Sequence, residues 1–333
     1  MERLSAVYWE RIAPFLSNAD VPHLLRACPV AWRETRHAPL PVHWNGKQAP
    51  PPRACGALRA LTFAGTPQHA WGGGWGTFKV RITRLCIEPG AYPRLRALCL
   101  TNTQVRDLRP LRHCPLLEDV RCDFTPLASL RGLEGCARLR VLHCAFTNVV
   151  SLLPLAALRR LEELSAHHTR ATSLLPLRAC AGALRALRAG HTRITDLDGL
   201  QGCARLRTLD APTWNPQIAS LAPLRACTQL EWLNLNIESR MVQRYSTIHA
   251  PLAPPLDRHA LGALRHLRDL RVVGYAPEPS SPGPPLPPGL RRLQCSAALW
   301  ESLGAQHTRS HGGRLESVSP PAGAAAAVVW VAE

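Results

Sequence analysis

The chain has 333 residues, 46% hydrophobic but only 5% aromatic, so a large core must be filled by Leu, Ala, Cys and Val rather than by rings. Its formal charge of +17 is almost wholly arginine, because Lys47 and Lys79 are the only lysines; with 31 prolines, this points to a coding bias rather than a dedicated polyanion site. The first residues, Met1-Glu2-Arg3-Leu4, carry charge and lead into no long apolar run, and the apolar tail 324–332 is too short to span a bilayer, so no signal peptide and no membrane segment are expected.

Residues 1–44 read as a small helical module. Ile12, Leu16, Asp20, Leu24, Cys28 and Trp32 fall four apart, the spacing of one helix face. Pro14 and Pro22 break the run into short helices, and Asp20 suits the N-cap of the second. This pattern resembles an F-box: an Ile, a Leu four residues later, an Asp opening the second helix, then a Cys and a Trp. The Leu-Pro that usually opens that motif aligns with Leu4-Ser5, so the proline is absent. The resemblance implies that these six residues dock a Skp-type adaptor. A helical cap over the first repeat is the alternative, since a solenoid needs its end shielded. Residues 45–57, with Pro50-Pro51-Pro52, form a linker.

From residue 58 to 296 the chain repeats itself. The frame L-x-x-L-x-L opens at Leu58 and recurs with first leucines at 95, 117, 139, 161, 184, 206 and 230, spaced 22, 22, 22, 23, 22 and 24 apart. It returns at Leu267 and Leu290. Three insertions interrupt it, at about 67–81 (with Trp71, Trp75 and a glycine triplet), 238–257 and 276–288. Ile82, Leu85 and Ile87 suggest a further strand in a truncated repeat or hairpin. Residues 297–333 read as a degenerate last unit, beginning near Leu315, and a closing strand at Val328–Val331.

A fixed period of this length with apolar residues locked to phase identifies a leucine-rich-repeat solenoid: an α/β horseshoe with a parallel β concave face and short 3-10 turns on its convex side. The repeat is similar to those of internalins and of leucine-rich phosphatase-regulatory subunits, which implies a non-enzymatic binding surface.

Numbering each repeat from its first leucine, phases 4 and 6 point inward. Phase 9 is Thr103, Thr125, Thr147, Thr169 and Thr192, whose oxygen is expected to satisfy backbone donors where the chain leaves the strand. Phase 13 is Asp or Ser (Asp107, Ser129, Ser151, Ser173, Asp196), with Ser220 in the equivalent place, ten residues before Leu230, in the 24-residue repeat; this is the N-cap choice for a short helical turn. Cys114, Cys136, Cys180, Cys203 and Cys227 share one phase with Leu158, which makes them small buried hydrophobes rather than disulfides or zinc ligands. Reduced cysteines favour a cytoplasmic or nuclear location.

Function then falls to the concave phases. They carry Asp119, Arg121, Asp123, Phe124, His143, Phe146, Glu163, His167, His168, Arg188, His191, Asp210, Trp214 and Trp232, a mixed polar surface with aromatic anchors suited to a protein partner. No catalytic, cofactor or metal site is expected. The arginines are scattered along the chain, often just after the first repeat leucine (Arg96, Arg140, Arg185, Arg207), and that scatter disfavours nucleic acid. The expected role is the substrate-recruiting subunit of a Skp–cullin–F-box ubiquitin ligase; the alternative is a scaffold or phosphatase regulator without a ligase link.

Overall fold

The computed structural model describes residues 41–43, 60–62, 85, 87, 89–90, 92–213, 218, 220–237, 255–277, 286–297, 299–302, 314–318 and 327–331. The F-box-like residues Ile12, Leu16, Asp20, Leu24, Cys28 and Trp32, the 45–57 linker, the Trp71/Trp75 loop and Trp214 lie outside them. The chain divides into two compact units, Met1–Asn148 and Val149–Glu333.

Strands in the first unit are β1 (Pro41–His43), β2 (Ala60–Thr62), β3 (Ala97–Cys99), β4 (Asp119–Arg121) and β5 (Val141–His143). Each pairs in parallel with the next, in a register that puts like phases opposite one another: Ala60, Ala97, Asp119 and Val141 are successive partners. Two expectations change here. The end of the 1–44 segment is a strand, β1, and β2 pairs directly with β3. Leu85 and Ile87 are buried but belong to no strand, so their segment adds no rung between β2 and β3.

The second unit holds β6 (Glu163–Ser165), β7 (Ala186–Arg188), β8 (Thr208–Asp210), β9 (Trp232–Asn234), β10 (Asp269–Val272) and β11 (Arg292–Ser296), again parallel and in register. Here the run ends differently from the expectation. β13 (Ala327–Val331) lies antiparallel against β11, with Trp330 opposite Leu293, and β12 (Arg314–Val318) lies antiparallel outside β13. The 327–331 strand is therefore present as expected, but Leu315 opens no further parallel repeat. Its strand runs against its neighbour and cannot stack as one.

Why these residues make this fold can be read phase by phase. A strand of only three residues presents one inward side chain, at phase 4, and phase 6 just beyond it adds a second: Leu98 and Leu100, Val120 and Cys122, Leu187 and Ala189, all buried. Leucines at two further phases (Leu108 and Leu111, Leu174 and Leu177) fill the back of the core and are fully buried. Each such leucine contributes about 1.5–3 kcal/mol of burial free energy.

The back layer is mostly 3-10 helix, at Arg109–His113, Leu133–Gly135, Leu153–Ala157, Leu175–Cys180 and Ala222–Ala226, with one short α-helix at Arg258–Gly262. Proline stands at the first turn of four of these, where its missing N–H costs nothing. The phase-13 residues act one step before the formal cap. Asp107 accepts from the Arg109 N–H at 2.9 Å, Ser151 from Leu153 at 3.2 Å and Ser173 from Leu175 at 3.2 Å, each the first N–H of its helix. The cap expectation is thus right in chemistry and shifted by one residue in position. Two repeats replace the proline by glycine. Gly132 (φ 107°) and Gly199 (φ 108°) take left-handed backbone, and a Cβ on either would run into the backbone of the preceding repeat at Leu108 or Leu174.

The threonines depart from expectation in the direction of the bond. Four of the five hydroxyls donate rather than accept: Thr125 to the Cys122 carbonyl (2.6 Å), Thr147 to Cys144 (2.8 Å), Thr169 to Ala166 (2.8 Å) and Thr192 to Ala189 (2.9 Å), while the buried Thr103 hydroxyl has no partner. The strand's last inward carbonyl has no partner in its own strand, and the hydroxyl three residues on satisfies it. Acceptance is secondary, from Ala171 to Thr169 at 3.4 Å and Ile194 to Thr192 at 3.5 Å.

Candidate binding face

Beyond each strand the main-chain ladder continues for one more rung, and that rung shapes the face. Phe124 N–H donates to the Ala145 carbonyl (2.9 Å), His168 to Gly190 (2.9 Å), His191 to Pro212 (2.7 Å) and Thr213 to Asn236 (2.9 Å). Five of the phase-8 residues turn out of the strand in left-handed backbone; Thr213 makes its bond without it. Asn102, Phe124, Phe146, His168 and His191 all have φ between 53° and 61°. Asn and His visit this region at modest cost, whereas for a bulky residue it is an outlier.

In the first unit the consequence is an aromatic pair. Phe124 and Phe146 stack with centroids 4.5 Å apart and planes 9° from parallel. Both stay open to solvent, at 45% and 39%. Since each ring covers a face of the other, the pair offers its edges. Beside it Asp123 is anchored, accepting from the Ala145 N–H at 2.8 Å with its other oxygen 4.0 Å from His143 Nδ1. Arg121 grips Asp119 through Nε (3.3 Å) and Nη2 (3.2 Å), a two-point contact that holds both side chains upright on the sheet. The sequence-derived residues Asp119, Arg121, Asp123, Phe124, His143 and Phe146 are therefore brought together.

The second unit repeats the geometry with different chemistry. His168 and His191 stack at 4.5 Å and 26°, and His167 meets His168 edge-on at 5.9 Å. Burial, then the neighbouring His191 and His167, push the His168 imidazole down to about 4, so it is neutral at physiological pH. Glu163 and Arg188 pair at 2.7 Å. Asp210 accepts from the Asn234 amide at 2.9 Å. The Arg271 guanidinium lies 5.3 Å from the centre of the Trp232 ring and also reaches Asp269 at 3.2 Å.

Asn234, Asp269 and Arg271 were missed by the sequence reading. Asn234 is phase 5 of the repeat at Leu230, beside Trp232, and Asp269 and Arg271 are phases 3 and 5 of the repeat at Leu267, so completing the column and extending it past the 238–257 insertion would have found them. Also missed was a trio on the back of the second unit, Val150, Leu153 (68% exposed) and Leu175. Its signal was two leucines at a phase that elsewhere carries Arg109, Arg131 and Asp198.

What the site can do chemically is limited by its groups. Ser165, the one hydroxyl among these strand-face residues that could suggest a nucleophile, is buried, and the partner of His143 is Asp123. Among the described residues no group of three His, Cys, Asp or Glu is placed to hold a metal ion. The cysteines of the back layer are all free and buried, and burial pushes their thiols up, to about 11 for Cys114 and Cys203 and about 12 for Cys136, Cys180 and Cys227. They stay protonated and unreactive at neutral pH. No helix among the described residues is long and apolar enough to cross a membrane.

No protein-family model and no curated protein matches the chain. Solved structures do. A leucine-rich-repeat protein of Leptospira interrogans aligns with a TM-score of 0.56 at 15% identity, over 80% of this chain and 67% of that one. The leucine-rich-repeat domain of APL1B aligns at 0.52 and 14%, over 78% and 70%. Internalin C2 of Listeria monocytogenes reaches 23% identity over 51% of this chain and 75% of its own, with a TM-score of 0.44. At these identities the likeness is one of fold, and the fold is the leucine-rich-repeat solenoid.

Proposed function

We propose that this chain is a non-enzymatic protein-interaction module that binds a protein partner on the strand face, and that its N-terminal segment makes it the substrate-recruiting subunit of a Skp–cullin–F-box ubiquitin ligase in the cytoplasm or nucleus. The observation that carries the first part is the Phe124/Phe146 pair. Two large apolar side chains are held on strained left-handed backbone and left exposed, a combination that costs folding free energy and is retained where it serves a site. Beside it stands a paired charge, Arg121 with Asp119; the second unit carries a like pair of its own, Arg188 with Glu163. Aromatic anchors inside a polar, ordered rim are the usual arrangement of a protein interface.

The ligase part rests on the resemblance of Ile12, Leu16, Asp20, Leu24, Cys28 and Trp32 to an F-box, ahead of a repeat array. The alternative is a scaffold or phosphatase-regulator-like subunit that uses the same face without an adaptor. Affinity purification of the intact chain separates them. Ile12→Asp with Leu16→Asp removes a Skp-type adaptor and leaves other partners in place if the ligase reading is right. An intact chain that brings down no such adaptor ends that reading. Phe124→Asp with Phe146→Asp, or charge reversal at Arg121 and Arg188, should abolish the partner while sparing the adaptor; full partner recovery with both variants sinks the strand-face site.

A further inference from the structure

Scatter in sequence is not scatter in space when the chain has a period. In the second unit, the residues just before each strand form a continuous row through their main chains. Arg185 N–H donates to the Glu162 carbonyl, Arg207 to Arg185, Glu231 to Arg207, Arg268 to Glu231 and Arg291 to Arg268, at 2.7–2.9 Å. The two or three residues before that row, in the turns that enter the strands, add Arg159, Arg160, Arg205 and Arg265, with His266. All eight arginines are exposed. Among the described residues of this edge the acids are Glu162 and Glu231, and they engage Arg185 (3.5 Å) and Arg207 (3.9 Å). The opposite edge of the same unit carries fewer charges among the described residues, Arg170 and Arg193 with Asp196. The strand face is balanced, because Arg188 and Arg271 are paired with Glu163 and Asp269.

We propose that this strand-entry edge is a docking site for the phosphate backbone of a nucleic-acid duplex, independent of base sequence. Six rungs span five strand spacings, about 24 Å. Along that length a duplex carries on the order of fourteen phosphate charges, against an edge with an excess of six arginines. Guanidinium forks suit phosphate oxygens in a two-point contact. Apart from Glu162, Glu231 and His266, the described residues between the arginines are small or uncharged, among them Ala183, Ala204, Gly182, Thr228, Gln229 and Gly289. Among the described residues of this edge the one exposed ring is His266, and a single imidazole gives unpaired bases no row of stacking platforms, which disfavours a single strand. Nor do those residues include an exposed large apolar side chain to anchor an acidic protein or enter a bilayer. The exposed large hydrophobics of this unit, Val150, Leu153 and Leu175, lie elsewhere.

The test is binding of the full chain to a labelled 30-base-pair duplex of arbitrary sequence across a salt series. The expected plot of log K against log salt falls with a slope of about −5, at roughly −0.9 per phosphate neutralised. Arg205→Gln, Arg268→Gln and Arg291→Gln together should make it shallower by about three, one unit per lost phosphate contact. Lysine at the same three positions keeps the charge and should restore most of the slope, which guards against an effect of misfolding. Arg170→Gln with Arg193→Gln on the opposite edge should leave it unchanged. A wild-type slope flatter than about −2, or an equal loss from the opposite-edge variant, overturns the proposal. So does tighter binding to polyglutamate or to phosphatidylserine vesicles than to the duplex at equal salt, which would assign the edge to an acidic protein or a lipid surface.

Discussion

Phe124/Phe146 in the first unit and His168/His191 in the second are the same structure made from different residues. Both pairs sit at phase 8, both have left-handed backbone, and both stack at 4.5 Å. Position, torsion and stacking distance are thus the same whichever of the two rings stands there. Identity then decides what the rung is for. Phenylalanine makes a permanent apolar edge exposed to solvent. Histidine makes a rung that a proton can alter.

The comparison breaks most severely if the scaffold under either pair is damaged. Leu142→Ala in β5 and Leu187→Ala in β7 each remove a fully buried leucine and should cost roughly 2–5 kcal/mol in denaturant unfolding. Gly132→Ala and Gly199→Ala come next, since each demands left-handed backbone and drives a methyl into the preceding repeat. A loss of about 1–3 kcal/mol is expected from the backbone alone.

The pH series sharpens the contrast. His168 is lowered from 6.5 to about 4, so the unfolded chain takes up a proton that the folded chain refuses. Its contribution to stability is fully present above pH 6.5 and is lost progressively as the pH falls toward 4, then levels off. His168→Phe should flatten that part of the stability–pH curve, while Phe124 and Phe146 variants leave its shape alone. An unchanged curve in His168→Phe would place the proton elsewhere. The smallest effect is expected for Phe124→Asn, which gives up about 0.5–1.5 kcal/mol of ring stacking but relieves a comparable backbone strain. Its stability should stay near wild type even as partner binding falls.

Much of this was legible in the sequence. The positions of Leu98, Leu142 and Leu187 followed from period alone, as did the buried cysteines, because burial in a solenoid depends on phase and little else. The strand-face residues were legible for the same reason. The left-handed torsion at Phe124 was not, since it accompanies a hydrogen bond to Ala145 in the next repeat, and no local sequence signal announces it for a phenylalanine. The direction of the threonine bonds was lost similarly: a hydroxyl can donate or accept, and only the unpaired carbonyl at Cys122 or Ala166 decides. The arginine row was misjudged for a geometric reason, because residues 22 apart look distant on paper and are neighbours in the fold.

The antiparallel strand against β11 has a consequence of its own. Parallel rungs form a propagating end: each strand presents the same edge it received, so any number of copies can follow, as in a growing polymer. β13 reverses the polarity, and the edge beyond it, β12, runs against β13 in turn. With Trp330 sealed opposite Leu293, the pair acts as chain termination rather than as one more monomer. Duplication of a repeat should therefore be absorbed anywhere among β6 to β10, lengthening the array by one rung. The same segment inserted after β11 would have no edge of matching direction on which to grow.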